Sequence, residues 1–379
     1  DTLGEPVGQT IGYRMRGDTK VSAKTRVEVV TDGILTRMLQ SDPDLKGIGA
    51  IIFDEFHERA LNADLALALA WEIRSVLRPD LQILVMSATL DAGPVADMLD
   101  HAPVITSQGR AYPVNNLHLP KALPKGARLP QATADLIVQA VAETTGGVLV
   151  FLPGEGEIRQ TQAALSGRLP ADCEVRPLYG ALPFAAQRAA IAPVTQGRKI
   201  VLSTSIAETS LTIEDIRVVV DAGKSRRARF DPASGMSRLV TEKVSRAEAT
   251  QRAGRAGRVA AGACYKLWTK GEDGALPAFP PAEIEAADLA PLALELAQWG
   301  SDDLAFLTPP PEGTLAEARR LLAALGALDA SGRITEHGRA LGTLPLHPRL
   351  AHMLLKAGKQ AAPLAALLSA RDPLRGAPV

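Results

Sequence analysis

Short β-branched apolar runs alternate along this chain with longer runs of helical spacing, and that alternation confines it to parallel α/β units. In the first third, RVEVV (26–30), GAIIF (49–53) and QILVM (82–86) read as strands. Between the last two, ADLALALAWEIRSVL (63–77) has helical spacing and stops ahead of Pro79, which cannot continue a helix. A stretch rich in Pro and Lys, LPKALPKGARLP (119–130), then breaks the pattern. It resumes with GVLVF (147–151), CEVRPL (173–178), KIVLS (199–203), RVVVD (217–221) and ACYKLW (263–268). Two sheets of one class follow, over 1–118 and 131–284, joined by the linker 119–130. A chain of 379 residues exceeds what one core usually serves, in keeping with that division.

From 285 onward the character turns helical. TLAEARRLLAALG (314–326) carries apolar residues at 315, 318, 321, 322 and 325, with Gly326 as its expected C-cap. ALDASGRIT (327–335) reads as a tight turn between short strands, and EHGRALGTL as another helix. Two helices and a hairpin over 285–345 give the outline of a winged helix, and 346–379 reads as the opening of a further helical domain. The chain begins at Asp1 without an initiator Met, and its natural N-terminus is expected to lie upstream.

Lys+Arg and Asp+Glu both total 42, so a site for nucleic acid has to be a local basic cleft. Cys173 and Cys264 lie far apart in strand-like runs with no CxxC, and read as two thiols of a cytoplasmic protein with no metal between them. No apolar run reaches membrane-spanning length.

The chemistry concentrates in five segments. Asp54-Glu55-Phe56-His57 follows the strand AIIF directly, at the end where open parallel sheets bind ligands. Two adjacent carboxylates there suit nucleotide hydrolysis: one holds Mg²⁺ through its waters, the other orients and deprotonates the attacking water. An isolated acidic pair would equally serve as a solvated turn. Ser87-Ala88-Thr89 closes the strand QILVM and turns two hydroxyls toward the same crevice. In QRAGRAGR (251–258), Arg252, Arg255 and Arg258 recur every three residues and form a guanidinium row on a helix. Gly254 and Gly257 interrupt that helix at about 1 kcal/mol each, which points to close backbone approach. STSIAETSLTIED (203–215) and TDG (31–33) each place hydroxyls and free N–H groups after a strand, a sequence-independent grip for phosphates. Gly223-Lys224-Ser225 imitates the end of a phosphate loop, but Val218 stands where its first glycine belongs, so it reads as a turn. No G-x-x-x-x-G-K-[ST] occurs in the chain.

The order TDG, DEFH, SAT, FLPG, STSIAETSLTI, QRAGRAGR resembles the superfamily 2 DEAH-box helicases along nearly the whole chain. DEFHERALNADL, with Phe56 where most of that family has Ala, and LVFLPGEGEI (149–158) look most like the bacterial HrpB-type ATP-dependent helicases. The resemblance implies two RecA-like domains, the first incomplete and without its Walker A loop, then a winged helix and the start of a ratchet domain. It implies ATP and Mg²⁺ as cofactors and single-stranded RNA or DNA as a sequence-independent partner. By it, Asp54 would hold Mg²⁺ through water and Glu55 would be the catalytic base. Gln251 and Glu214 would touch the nucleotide or its water, and Arg255 and Arg258 would be arginine fingers. His57, Ser87 and Thr89 would couple nucleotide state to the second domain. Thr31, Asp32, Gly33, Thr204 and Thr209 would hold the strand's phosphates, with Arg14 nearby. Glu214 stands where relatives carry Asp. A scaffold that binds nucleic acid without hydrolysis, and a translocase that separates no strands, are the competing functions.

Overall fold

A computed structural model describes residues 3–88, 92–107, 109, 112–194, 196–208, 211, 213–231, 235–301 and 303–369. The first lobe holds β1 (Ile11–Met15), β2 (Asp18–Lys20), β3 (Val27–Val30), β4 (Ala50–Phe53) and β5 (Gln82–Val85). These do not form one sheet. β1 pairs parallel with β3 and antiparallel with β2, while β4 and β5 pair parallel by themselves. Helices Asp32–Ser41 and Leu61–Val76 cover one face, so Ile51 and Phe53 are buried. The other face stays open: Val29, Ile52 and Leu84 are 60%, 58% and 47% exposed.

The second lobe is the parallel α/β unit that the alternation demands. Its strands are β6 (Val114–His118), β7 (Gly147–Phe151), β8 (Cys173–Leu178), β9 (Arg198–Ser203) and β10 (Ile216–Asp221). A hairpin of β11 (Lys224–Asp231) and β12 (Met236–Lys243) follows, and then β13 (Gly262–Lys266). Six of them form one wholly parallel sheet in the order β6-β13-β10-β7-β9-β8. Every residue of β7 is buried, because helices lie on both sides. Val148 and Val150 pack toward helices Leu129–Glu143 and Glu155–Ala164; Leu149 and Phe151 pack toward Phe184–Ile191 and Arg246–Gly254. Each such side chain contributes roughly 1.5–3 kcal/mol by leaving water.

Two departures from the sequence reading have local causes. β6 falls within 1–118, yet it pairs with β13 in the second sheet, Val114 opposite Gly262 through His118 opposite Lys266. The hairpin β11–β12 starts where only a turn was read. The turn itself is confined to Ala222 and Gly223, the latter at φ 69°, where a Cβ would stand 2.7 Å from the Trp268 ring.

The C-terminal helices Ala290–Trp299, Glu312–Ala324, Glu336–Gly342, Pro348–Ala357 and Ala362–Ser369 follow. The wing expected over 327–335 is a single antiparallel bridge, Leu328 to Ile334. Thr335 caps the next helix, accepting from the Gly338 N–H at 3.0 Å. These helices share one apolar core with the first lobe: Leu65, Leu69 and Ile73 join Leu292, Leu296 and Leu322. No helix among the described residues is long and apolar enough to cross a membrane.

Candidate functional site

Asp54 and Glu55 leave the carboxyl end of β4. The Met86 N–H donates to Phe53 O (2.7 Å) and the Phe56 N–H to Met86 O (3.1 Å), so the acid loop is laced to the strand that carries Ser87. Phe56 is buried against Phe53, edge to face at 6.3 Å, which anchors the loop from beneath. Glu55 and Arg59 both adopt left-handed backbone, φ 51° each, an unfavourable region for such side chains. Asp54 is exposed, and its Oδ1 accepts the Glu55 N–H at 2.8 Å. Arg59 is held by the buried Asp64 (3.0 Å) and by Thr308 Oγ1 (2.9 Å), which ties the acid loop to the C-terminal helices.

His57 is the bridge between lobes. It is buried, and its Nε2 lies 2.9 Å from the side-chain amide of Gln251. Its Nδ1 faces the Ala88 N–H at 3.4 Å and Glu55 Oε2 at 3.6 Å. A proton on Nδ1 serves Glu55 and leaves Nε2 to accept from the Gln251 amide nitrogen; a proton on Nε2 leaves Nδ1 to Ala88 and requires the Gln251 amide oxygen, turned toward it, as acceptor. Ser87 is exposed at the strand's end, and Thr89 lies outside the described residues.

The expected guanidinium row does not exist as a row. The α-helix ends at Gly254 and Arg255–Gly257 continue as one 3₁₀ turn; Arg252 and Arg255 are buried and Arg258 is exposed, so the three present no common face to the cleft. Arg252 turns inward, away from the cleft. Arg255 is buried: its Nε donates to Glu208 O (2.6 Å) and its Nη1 to Leu211 O (2.7 Å). Its Nη2 is buried with no hydrogen-bond partner among the described residues. Burial first, and then repulsion from Arg258, pull this arginine down to about 10, while Glu55 and Glu208 oppose the shift. A buried cation with an unused donor, facing a carboxylate across the cleft, is prepared for an anion. Arg258 is exposed. Backbone approaches closely at Gly257, where a Cβ would meet Tyr112 O at 2.5 Å, but not at Gly254, which has open space. Glu214 is exposed in the turn before β10, at the opposite end of that strand from Asp221.

The residues expected to grip a strand fall at two places. Parallel pairing puts Arg14 opposite Val30, one residue before Thr31, so Arg14 and Thr31–Gly33 share one end of the first small sheet. Arg14 is engaged by Glu28 in an ion pair. Thr31 precedes the helix Asp32–Ser41 without capping it by its side chain. Burial, then the charges of Glu58 and Glu283, push the Asp32 carboxyl up. Thr204, half-buried, opens the loop after β9; Thr209 lies outside the described residues. A cavity of about 680 Å³ lies between Thr204–Ile206, the acid loop at His57 and Glu58, the hairpin arginines Arg226, Arg227 and Arg229, and Pro280–Glu283. The hairpin's share of this wall is not expected from the sequence, which reads only as a turn at Gly223-Lys224-Ser225. Its signal was present in two polar β-rich runs flanking the turn residues DPASG. No cluster of three metal-ligating side chains occurs among the described residues.

Residues 131–260 match the helicase conserved C-terminal domain, and residues 318–346 the winged-helix helicase associated domain. The chain is 48% identical over 361 residues to the ATP-dependent RNA helicase HrpB of Escherichia coli, covering 94% of this chain and 44% of that protein. It is 37% identical over 382 residues to the E. coli ATP-dependent RNA helicase HrpA, covering 97% and 29%. Two crystal structures of E. coli HrpB, described as a DExH-box NTPase and as a DEAH/RHA helicase, superpose with TM-scores of 0.89 and 0.91. Both are 47% identical and cover 99% of this chain, and 47% and 48% of theirs. The chain spans less than half the length of each of these relatives.

Proposed function

We propose, from the premise that this chain belongs to the HrpB-type DEAH-box helicases, that it is most of the motor core of an ATP-dependent helicase or translocase. The observation that carries the reading is the closed contact across the cleft. His57 of the acid loop meets Gln251 at 2.9 Å, beside a buried Arg255 whose Nη2 has no hydrogen-bond partner among the described residues. A passive scaffold has no use for a catalytic-type carboxylate and an unsatisfied guanidinium aimed at one space.

In this reading Asp54 faces Mg²⁺ through water, a fit for an exposed single carboxylate, since Mg²⁺ keeps most of its waters and takes phosphate oxygens. Bound there, the ion neutralises charge on the nucleotide's phosphates. Glu55 takes the proton of the attacking water, and its left-handed backbone fixes where that carboxylate stands. Arg255 and Arg258 meet the charge of the transferring phosphoryl group, and Gln251 and Glu214 touch the nucleotide or its water. His57, with Ser87 and Thr89, passes the nucleotide's state to the second lobe. Thr31, Asp32, Gly33, Thr204 and Thr209, with Arg14, hold single-stranded RNA or DNA by its backbone in a cytoplasmic protein. The domains of this reading are 1–118, 131–284, 285–345 and 346–379, with β6 crossing from the first to the second.

The test is ATP hydrolysis by the gene-length protein, alone and with poly(U) or poly(dT), beside Glu55→Gln. Stimulation by one polymer that Glu55→Gln removes by about 10²–10⁴-fold supports the motor. Equal low rates in both proteins favour the scaffold. Because the 379 residues carry no G-x-x-x-x-G-K-[ST], they are expected to hydrolyse ATP slowly or not at all by themselves.

A further inference from the structure

Beside the cleft lies a charge cluster centred on Arg252, with Glu208 at the edge of the cavity. Arg252 is 1% exposed, and no nucleotide or strand reaches it. Its Nε donates to Glu208 Oε1 at 2.6 Å, with Nη2 2.5 Å from the same oxygen. Its Nη1 reaches Asp221 Oδ1 (2.9 Å) and Lys224 O (3.2 Å), and its Nη2 reaches Ser225 Oγ (3.4 Å). Its guanidinium stacks 5.1 Å from the Phe151 ring. Asp221 Oδ2 is buried without a hydrogen-bond partner among the described residues, so the cluster carries more acid than its one arginine satisfies.

A buried ion cluster is a poor way to stabilise a fold, since well-packed apolar groups do as well or better. Its value lies in what it joins. Arg252 sits between Gln251, which touches His57, and the turn carrying Arg255. Glu208 belongs to the loop that opens with Thr204 and continues to Thr209. Arg255 grips the same loop through the carbonyls of Glu208 and Leu211. The helix facing the nucleotide and the loop facing the strand are therefore fastened at adjacent points, one by charge and one by carbonyls. Asp221 and Ser225 root the joint in β10 and in the hairpin β11–β12. A rigid joint makes a shift at either site a shift at both.

We propose that Arg252 and Glu208 are positioning residues that transmit strand binding at loop 204–211 to Gln251 and Arg255, so that nucleic acid accelerates hydrolysis through them. The proposal rests on the motor reading above. Arg252 is enclosed and Glu208 directs its carboxylate at Arg252, so their loss disconnects the two sites without removing either.

The test uses the gene-length protein and the conservative variants Arg252→Lys and Glu208→Gln, with poly(U) and poly(dT) as probes. Hydrolysis without polymer is expected to stay within about twofold of the unaltered protein, while polymer stimulation falls at least about tenfold, the range of ordinary site-to-site coupling. Full stimulation in both variants overturns the proposal and leaves the motor reading standing. Equal loss of basal and stimulated rates overturns it too, in favour of a merely structural role. An unaltered protein with no stimulation overturns the motor reading and this proposal together. If the variants do not fold, hydrogen exchange on the unaltered protein decides. Coupling requires that a non-hydrolysable ATP analogue alone changes exchange across 204–211; an unchanged loop sinks the idea.

Discussion

The two lobes use the same local pattern and solve its burial problem differently. In the second, the central strands are buried on both faces, and the two apolar clusters above and below the sheet belong to that lobe alone. In the first, five strands are split between two small sheets, one face is bare, and the core is completed by helices some 200 residues further on. The pattern specifies strands and helices; it does not specify who covers them. A lobe that borrows its core is tied in stability to its lender.

The largest expected effect lies at the centre of the self-sufficient lobe. Phe151→Ala removes a fully buried ring from the central strand and the surface on which Arg252 stacks. It should cost about 3–5 kcal/mol in chemical denaturation. A smaller loss would mean the six-stranded sheet is less tightly packed than its burial indicates. Leu69→Ala should cost about 2–5 kcal/mol. Because its core is shared, hydrogen exchange in helices Ala290–Trp299 and Glu312–Ala324 should rise together with that of Leu61–Val76. Exchange confined to the first lobe would break the comparison.

His57→Ala removes one contact between lobes and should lower stability by only about 1 kcal/mol. Polymer-stimulated hydrolysis in the gene-length protein should nevertheless drop at least about tenfold, one hydrogen bond's worth of barrier. Unchanged stimulation would show that the lobes communicate elsewhere. The smallest effect belongs to the bare face: Ile52→Thr, at 58% exposure, should shift stability by under about 0.5 kcal/mol in these 379 residues. The same change in the gene-length protein sharpens the comparison, since a larger cost there means that face is covered.

Much of this was legible because the chemistry sits where strands end. DEFH, SAT and the hydroxyl-rich loop each follow an unmistakable apolar run; β4 and β5 bring the first two ends together in one small sheet, and the third closes a strand of the other lobe. Spacing misled where local geometry changed partway. Arg252, Arg255 and Arg258 recur every three residues, yet Arg252 ends in a buried ion cluster, Arg255 on the carbonyls of a neighbouring loop, and Arg258 is exposed; spacing does not tell them apart. Strand pairing across long separations was equally invisible: nothing in VNNLH says that it joins a strand nearly 150 residues later. The hairpin β11–β12 was hidden because its charged residues look like a solvated loop until the partner strand is seen.

The place of β6 bears on how this protein is cut into pieces. The span matched by the helicase C-terminal family, 131–260, stops short of β13 at one end and starts after β6 at the other. A truncation to those limits would strip two of the six strands and leave β10 as a raw margin, its Val218 to Val220 backbone open to any passing chain. Such a piece invites aggregation; one opening before Val114 and closing after Trp268 keeps the margin sealed.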